Sequence, residues 1–463
     1  MWTSKRLLLL LCCMGCIGGY FYRFLILDSL DKYIPPPFKV FEQPNISISF
    51  TTILPMKSNL SELLKLIDWP EPPSTVSHAD FSTSPKNCDY HLLNPRDTYR
   101  VGESLQVLIM ARNHFGQPKK YGGDFFQAKL HSGKVKAGVT GQVKDHGNGS
   151  YVATFLLPWT GEAEVHIRLI HSSEAVDVLN KKRESHPEKV YFNGYFHYNG
   201  SSAVAECNLQ IAGKDVCTYI DPVSGDKWHC VRPQNLPCHS LIFHSMGGYR
   251  KVTNALEDSL LSGSVTDKTI PGTVPPIIIK PDERFSGLKR IDLHVNYQSG
   301  PLIAVETNAG LVMRWKAHGL PLRTTKTMMS DLHYEAADLA GIGGGPHTVI
   351  VLTLWAHFTT YPVRVYLERL EKVQQAVSSL LFRSPETTVI IKSANTGYKS
   401  IYGSDWLSLQ LDILLRAAFK GMRVIILDVW DMTSCHYLPD DIHPGPPVIK
   451  NAVDLMLSHI CPH

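Results

Sequence analysis

HTVIVLTLWAHF (residues 347–358) carries an apolar run, Thr348 to Leu354, too short for a helix and suited to a strand covered on both faces. The next 75 residues set the architecture by alternating strand and helix patterns, a spacing of about one element per 20 residues. PVRVYLERLEKVQQAVSSLLFRS (362–384) places Tyr366, Leu370, Val373, Val377 and Leu380 on one face of a helix, with Pro362 at its start. TTVIIKSAN (387–395) reads as a second strand and DWLSLQLDILLRAAFKG (405–421) as a second helix ended by Gly421. MRVIILDVWDM (422–432) reads as a third strand. Such alternation predicts a parallel sheet with right-handed crossovers. Its chemistry should lie beyond the carboxyl ends of the strands, at Trp355-Ala356-His357, Ser393-Ala394-Asn395 and Asp428 to Asp431. A last helix is expected from about Val448 to His459.

Between the third strand and that helix stands DDIHP (440–444). Asp440 and His443 have the spacing by which an acid orients a histidine base in serine esterases. The same spacing also suits a loop that caps the last helix. A triad further requires an activated serine, and two are tempting. Ser245 in LIFHSMGG (241–248) lacks the first glycine of a nucleophile elbow, because Phe243 stands there. Ser259 in LEDSLL (256–261) lies in a stretch of helical character, with no buried strand before it. Both read as structural.

Upstream, the first 27 residues read as a signal peptide or signal anchor. Lys5 and Arg6 precede an uncharged run from Leu7 to Tyr22, shorter than the roughly 20 residues that span a bilayer. The expected location is secreted, the alternative being a type II membrane protein whose bulk is lumenal. Sequons at Asn45, Asn59, Asn148 and Asn199 agree with that route. So do seven cysteines beyond the leader: Cys88, Cys207, Cys217, Cys230, Cys238, Cys435 and Cys461. Cys207 to Cys238 form a local cluster of four, and the odd total leaves at least one thiol without a partner in this chain. Their spacing matches no zinc array, so no metal or other cofactor is expected. A net charge of +4 without a basic tract gives no ground for nucleic-acid binding.

Residues 28–88 are rich in Pro and Ser and read as a linker with one short helix near Leu60 to Ile67. Residues 89–196 show short strands with turns every eight to twelve residues, the pattern of an immunoglobulin-like β-sandwich. Residues 197–261 read as a Cys-rich segment of little regular structure. Residues 262–290 read as a Pro- and Gly-rich junction, and 291–463 as the α/β domain.

LNPRDTYRVGESLQV (93–107), QPKKYGGDFFQAKLHS (117–132), WHCVRPQNLPC (228–238), TVIVLTLWAHF (348–358) and DDIHP (440–444) together resemble the neurexophilin and PC-esterase domain family, and the similarity runs from about Leu93 to Cys461. That resemblance implies a neurexophilin-like β domain followed by an SGNH-like (PC-esterase) α/β domain. Relatives of the second domain move acetyl groups on and off glycans, with a nucleophile on a strand ending in Gly-Asp-Ser. The block belongs near residues 262–290, and no Gly-Asp-Ser occurs in this chain. The esterase sheet is therefore expected to be incomplete, short of its nucleophile and of one core strand. Asp440 and His443 match the family's Asp-x-x-His and become a vestigial orienter and base. His357 matches a strand-end histidine, an oxyanion or substrate contact.

The expected function is that of a secreted glycoprotein whose esterase-like domain is inactive or impaired in acyl transfer. One alternative is an active O-acetyltransferase or esterase, with a sialic-acid type glycan and an acetyl donor as substrates. Another is a neurexophilin-like module whose β domain binds a cell-surface protein.

Overall fold

The computed structural model describes residues 8–12, 60–213, 215–280, 302–306, 311–436 and 441–461. Asn45, Asn59 and Asp440 lie outside them. Thr348–Leu352 is a strand with every residue buried. It belongs to a six-stranded sheet in the order Leu302–Glu306, Leu311–Lys316, Leu8–Cys12, Thr348–Leu352, Thr388–Lys392 and Ile425–Leu427. The last five are parallel to one another, whereas Leu302–Glu306 runs antiparallel to Leu311–Lys316. The sheet is thus mixed rather than wholly parallel. Only residues 307–310 separate those two strands, and a parallel crossover needs about a dozen.

Period-two alternation divides Thr348–Leu352 between two cores. Ile350 and Leu352 join the cluster under the helices Val363–Arg383 and Asp405–Ala418. Val349 and Val351 join the one under Pro446–Ile460. All five apolar positions read from the first helix are buried in its core, and Pro362 sits one residue before its first turn. The third strand is short because Asp428 accepts a hydrogen bond from the Trp430 amide (3.2 Å), and the chain turns into the helix Trp430–Cys435.

The place between Leu311–Lys316 and Thr348–Leu352 is filled from the far end of the sequence. Leu10 pairs with Arg314 on one side and with Ile350 on the other. The leader core, read from composition as a membrane-directed segment, here contributes a strand.

The β domain is one nine-stranded sheet. Its path runs Asp89–Leu92, Ser104–Met110, Ser150–Leu156, Ala137–Asp145, Phe125–Ser132, Gly161–His171, Ile277–Lys280 and Tyr99–Arg100, with Lys268–Thr269 paired beside Gly161–His171. Inward residues from both flanks, among them Val107, Ile109, Leu130, Phe155 and Ile167, enclose one core. Ile277 and Ile279 complete it. Two pieces of the stretch read as a junction are therefore strands of this domain, since IIIK (277–280) supplies the β-branched alternation that closes the core.

The Cys-rich stretch is not irregular. Val216–Ile220, Lys227–Val231, Ser201–Asn208, Val190–Tyr198, Leu241–Tyr249 and Thr327–Met328 form a second sheet in that order. Cys207–Cys230 and Cys217–Cys238 are its disulfides, so the local cluster of four pairs within itself. Cys88, Cys435 and Cys461 remain as thiols. Trp228, fully buried against Phe192, anchors the core. The helix Ser173–Ser185, capped by Ser172 accepting the Ala175 amide, links the two β sheets and has no periodic pattern strong enough to betray it in the sequence.

Buried polar contacts join this second sheet to the α/β domain. Arg369, buried on the helix Val363–Arg383, pairs with Glu335 (3.2 Å) and Asp226 (3.3 Å), and Lys372 of the same helix also reaches Asp226 (2.8 Å). Tyr361 donates to the Asn208 side chain (2.8 Å). Replacing Asp226 by Ala removes the partner of the part-exposed Lys372 and one of the two carboxylates facing Arg369, which keeps Glu335, and a loss of about 1–3 kcal/mol is expected from urea unfolding followed by tryptophan fluorescence. An unchanged midpoint would mean that the two units are not coupled there.

Candidate functional site

His357 follows the central strand in one turn of 3-10 helix, Ala356–Phe358. His318 follows Leu311–Lys316, two places away in the sheet. Their rings meet with His318 Nε2 2.7 Å from His357 Nδ1. His318 Nδ1 lies 2.6 Å from the Gly319 carbonyl oxygen. A carbonyl only accepts, so the His318 proton is on Nδ1 and its Nε2 accepts from His357 Nδ1–H. The His357 Nε2 is then left with a lone pair. Burial holds both rings neutral. It lowers His318, and it lowers His357 well below the ordinary range, helped there by the neighbouring His318, Arg323, His443 and His244, which oppose a further positive charge.

Around this pair lie groups that spacing alone did not single out. Arg323 Nη2 donates to Thr360 Oγ1 (3.2 Å), while its buried Nε has no hydrogen-bond partner. Lys189 Nζ donates to the Thr360 carbonyl (2.6 Å). Burial, with the Arg323 charge, pushes that lysine down to about 7. His244 Nε2 donates to the Leu322 carbonyl (2.9 Å), and burial pushes the ring down to about 4. The available signal for His318 was its position just past the alternating stretch LVMRWK (311–316).

The loop that carries His443 is seated on the end of Thr388–Lys392. Asn395 Nδ2 donates to the Ile442 carbonyl (3.2 Å), and Lys392 Nζ donates to Asn395 Oδ1 (2.6 Å). Gly397, at φ +137°, passes so close beneath the loop that a Cβ there would lie 2.2 Å from the Ile442 nitrogen. His443 itself is exposed, and its amide donates to Asp441 Oδ1 (2.9 Å). His443 and His357 therefore come into one electrostatic neighbourhood, as two strand-end features of one sheet should.

Neither candidate serine joins them. Ser245 sits inside the strand Leu241–Tyr249, where its hydroxyl is 3.1 Å from Tyr195 Oη and donates to the Met246 carbonyl (3.1 Å). Ser259 lies in the helix Ala255–Leu260, closed by a reciprocal cap between Asn254 and Glu257, and donates to the Leu256 carbonyl (2.6 Å). Ser404 does contact a histidine, with its Oγ 3.1 Å from His171 Nε2. Both side chains are buried between the β domain and the helix that Ser404 caps, which makes this a packing contact. Among the described residues no group of three or more His, Cys, Asp or Glu is placed to hold a metal ion, and no helix is long and apolar enough to cross a membrane. The sequons at Asn148 and Asn199 stand exposed at hairpin tips.

The geometry defines a protein with an N-terminal β-rich part joined to a C-terminal layered α/β domain whose strand ends gather histidines. Comparison with known families agrees. A neurexophilin family model matches residues 56–264. A model of the C-terminal domain of proteins like NXPE family member 4 matches residues 281–461. The chain belongs to the neurexophilin and PC-esterase domain family.

The buried histidines give a pH dependence of definite sign. His171, pushed by burial to about 3, and His244, at about 4, take up protons more readily unfolded than folded. Their stabilising contribution is complete above the unfolded value near 6.5 and is lost as pH falls below it. Asp124, raised by burial to about 6, works in the opposite direction below that pH. From pH 7 to pH 5 these three groups give a net loss of about 2–3 kcal/mol, to which the burial-lowered His318 and His357 add in the same direction. Denaturant melts at the two pH values measure it, and equal stability would contradict it.

Proposed function

We propose that this chain is a secreted glycoprotein whose SGNH-like domain keeps the frame of an acyl-transfer site without the nucleophile, and is inactive or severely impaired as an enzyme. Asp440 and His443 are read as orienter and base left from a working triad. The observation that carries this reading is the occupant of the sheet beside Thr348–Leu352. A nucleophile strand of an esterase-like sheet would end there, next to His357 and within reach of the His443 loop. Leu8–Cys12 stands there instead, and it contains no serine.

The hydrogen-bond direction within the histidine pair bears on what His357 does. With its Nδ1–H engaged by His318, neutral His357 offers a lone pair at Nε2, which suits accepting a substrate hydroxyl proton in a hydrogen bond. It does not suit an oxyanion contact, which needs a donor. A remaining base and binding groups without a nucleophile give at most the residual rate that orientation and electrostatics supply. The two disulfides and the exposed Asn148 and Asn199 sequons are consistent with passage through an oxidising, glycosylating compartment.

Purified full-length protein incubated with an O-acetylated, sialic-acid type glycan should release or transfer no acetate above the buffer rate. Ser245→Ala and Ser259→Ala should leave that result unchanged. Acetate release that either substitution abolishes would establish an active enzyme.

A further inference from the structure

We infer that Arg323 is the receptor for a carboxylate group on the ligand of the His357 site; this rests on the proposal that these strand ends keep the frame of a ligand site. Arg323 follows Leu311–Lys316 in the stretch that also carries His318, at the carboxyl end of that strand. It is half-buried. Among the described residues, every other arginine that is not exposed faces a carboxylate. Arg112 faces Asp89, Arg168 faces Asp267, Arg183 faces Glu184 and Arg250 faces Glu206. Arg369 has Glu335 and Asp226, and Arg416 has Asp412 and Asp428. Arg323 has none. Its Nη2 donates to the Thr360 hydroxyl (3.2 Å), and its shielded Nε has no acceptor.

The neighbouring groups do not supply the missing anion. Lys189 Nζ donates to the carbonyls of Lys182, His186 and Thr360, which leaves it no donor for a ligand. Glu184 and Glu188 temper the Lys189 charge, and Glu184 is itself engaged by Arg183 (3.2 Å). His318, His244 and His443, which with Arg323 act on His357, are bases. A guanidinium drawn partly out of water without an anion costs stability, as does a shielded N–H without an acceptor. A planar fork with an open edge meets a carboxylate through paired N–H donors. One unpaired guanidinium matches one negative charge, which favours a carboxylate over a phosphate dianion. His357 Nε2, the free acceptor of the same neighbourhood, takes a hydroxyl hydrogen. The ligand class is therefore a carboxylic acid that also bears a hydroxyl.

Phenylglyoxal labelling of the purified full-length protein, read by peptide mass spectrometry, tests this with lactate as the probe. Arg323 should be labelled in buffer. Lactate at about 50 mM should slow that labelling at least ~5-fold, the protection that a Kd of about 10 mM gives. Lactamide, its uncharged counterpart, and chloride at the same ionic strength should leave the rate unchanged. Arg323→Gln should keep its urea midpoint in buffer and lose the stabilisation that lactate gives the unsubstituted protein. An Arg323 that resists the reagent in buffer would overturn the inference, as would equal protection by lactate, lactamide and chloride. So would a lowered midpoint of Arg323→Gln in buffer, which marks a structural arginine, or a variant still stabilised by lactate. Protection by inorganic phosphate at far lower concentration than lactate would overturn the choice of a carboxylate. Release of acetate from the O-acetylated glycan would remove the reading of a lost nucleophile and leave the role of Arg323 standing.

Discussion

A parallel strand buried on both faces must also be paired along both edges, and the arrangement of this molecule turns on that requirement at Thr348–Leu352. All five of its side chains are buried, and Val349 to Leu352 divide between two helix-covered cores. One edge is met by Thr388–Lys392, the next strand of the βαβ series. Among the described residues, none adjoining in sequence supplies the other. The nearest upstream strand of this sheet, Leu311–Lys316, pairs instead with Leu302–Glu306 and leaves one place open, which Leu8–Cys12 fills. Unpaired backbone groups buried in that position would each cost about 1–3 kcal/mol. Leu8–Cys12 meets that requirement in this structure.

The remaining parts brace that sheet. Arg369, Asp226 and Glu335 tie the disulfide-bearing sheet beneath the first crossover helix. On the opposite side Gln127 donates to Asp405 (3.1 Å), and His171 meets Ser404 at the head of the second crossover helix. Lys189 and Arg323 both grip Thr360, three residues beyond His357. The histidine pair is thus held from several directions by polar groups that are themselves enclosed. No Gly-Asp-Ser block occurs in the sequence.

The crossover helices and their strands were legible because their periodicities are long and unbroken, as at Tyr366 to Leu380. Pairing of the four central cysteines agrees with their clustering in the sequence. Three features could not be read. The Cys-rich sheet is built of strands such as Val216–Ile220 and Lys227–Val231, short and bounded by turn residues, so that composition suggests loop. Ile277–Lys280 follows a Pro-rich tract and joins a sheet begun nearly two hundred residues earlier. Leu8–Cys12 has the composition of a leader, and only the open place in a distant sheet makes it a strand. In the site, His357 came from strand-end position and the His443 loop from its Asp-x-x-His spacing, whereas His318, His244 and Arg323 depend on long-range packing that no local spacing encodes.

On the proposed reading, the base and orienter of an esterase-like domain survive here with no nucleophile to serve. An activated serine reacts with an alkyl fluorophosphonate, whereas a serine held only by structural hydrogen bonds does not. Intact-mass measurement of the full-length protein after exposure to such a reagent should show no added phosphonyl group. A stoichiometric adduct, mapped to any serine and lost on replacing His443 by Ala, would show that a working triad remains.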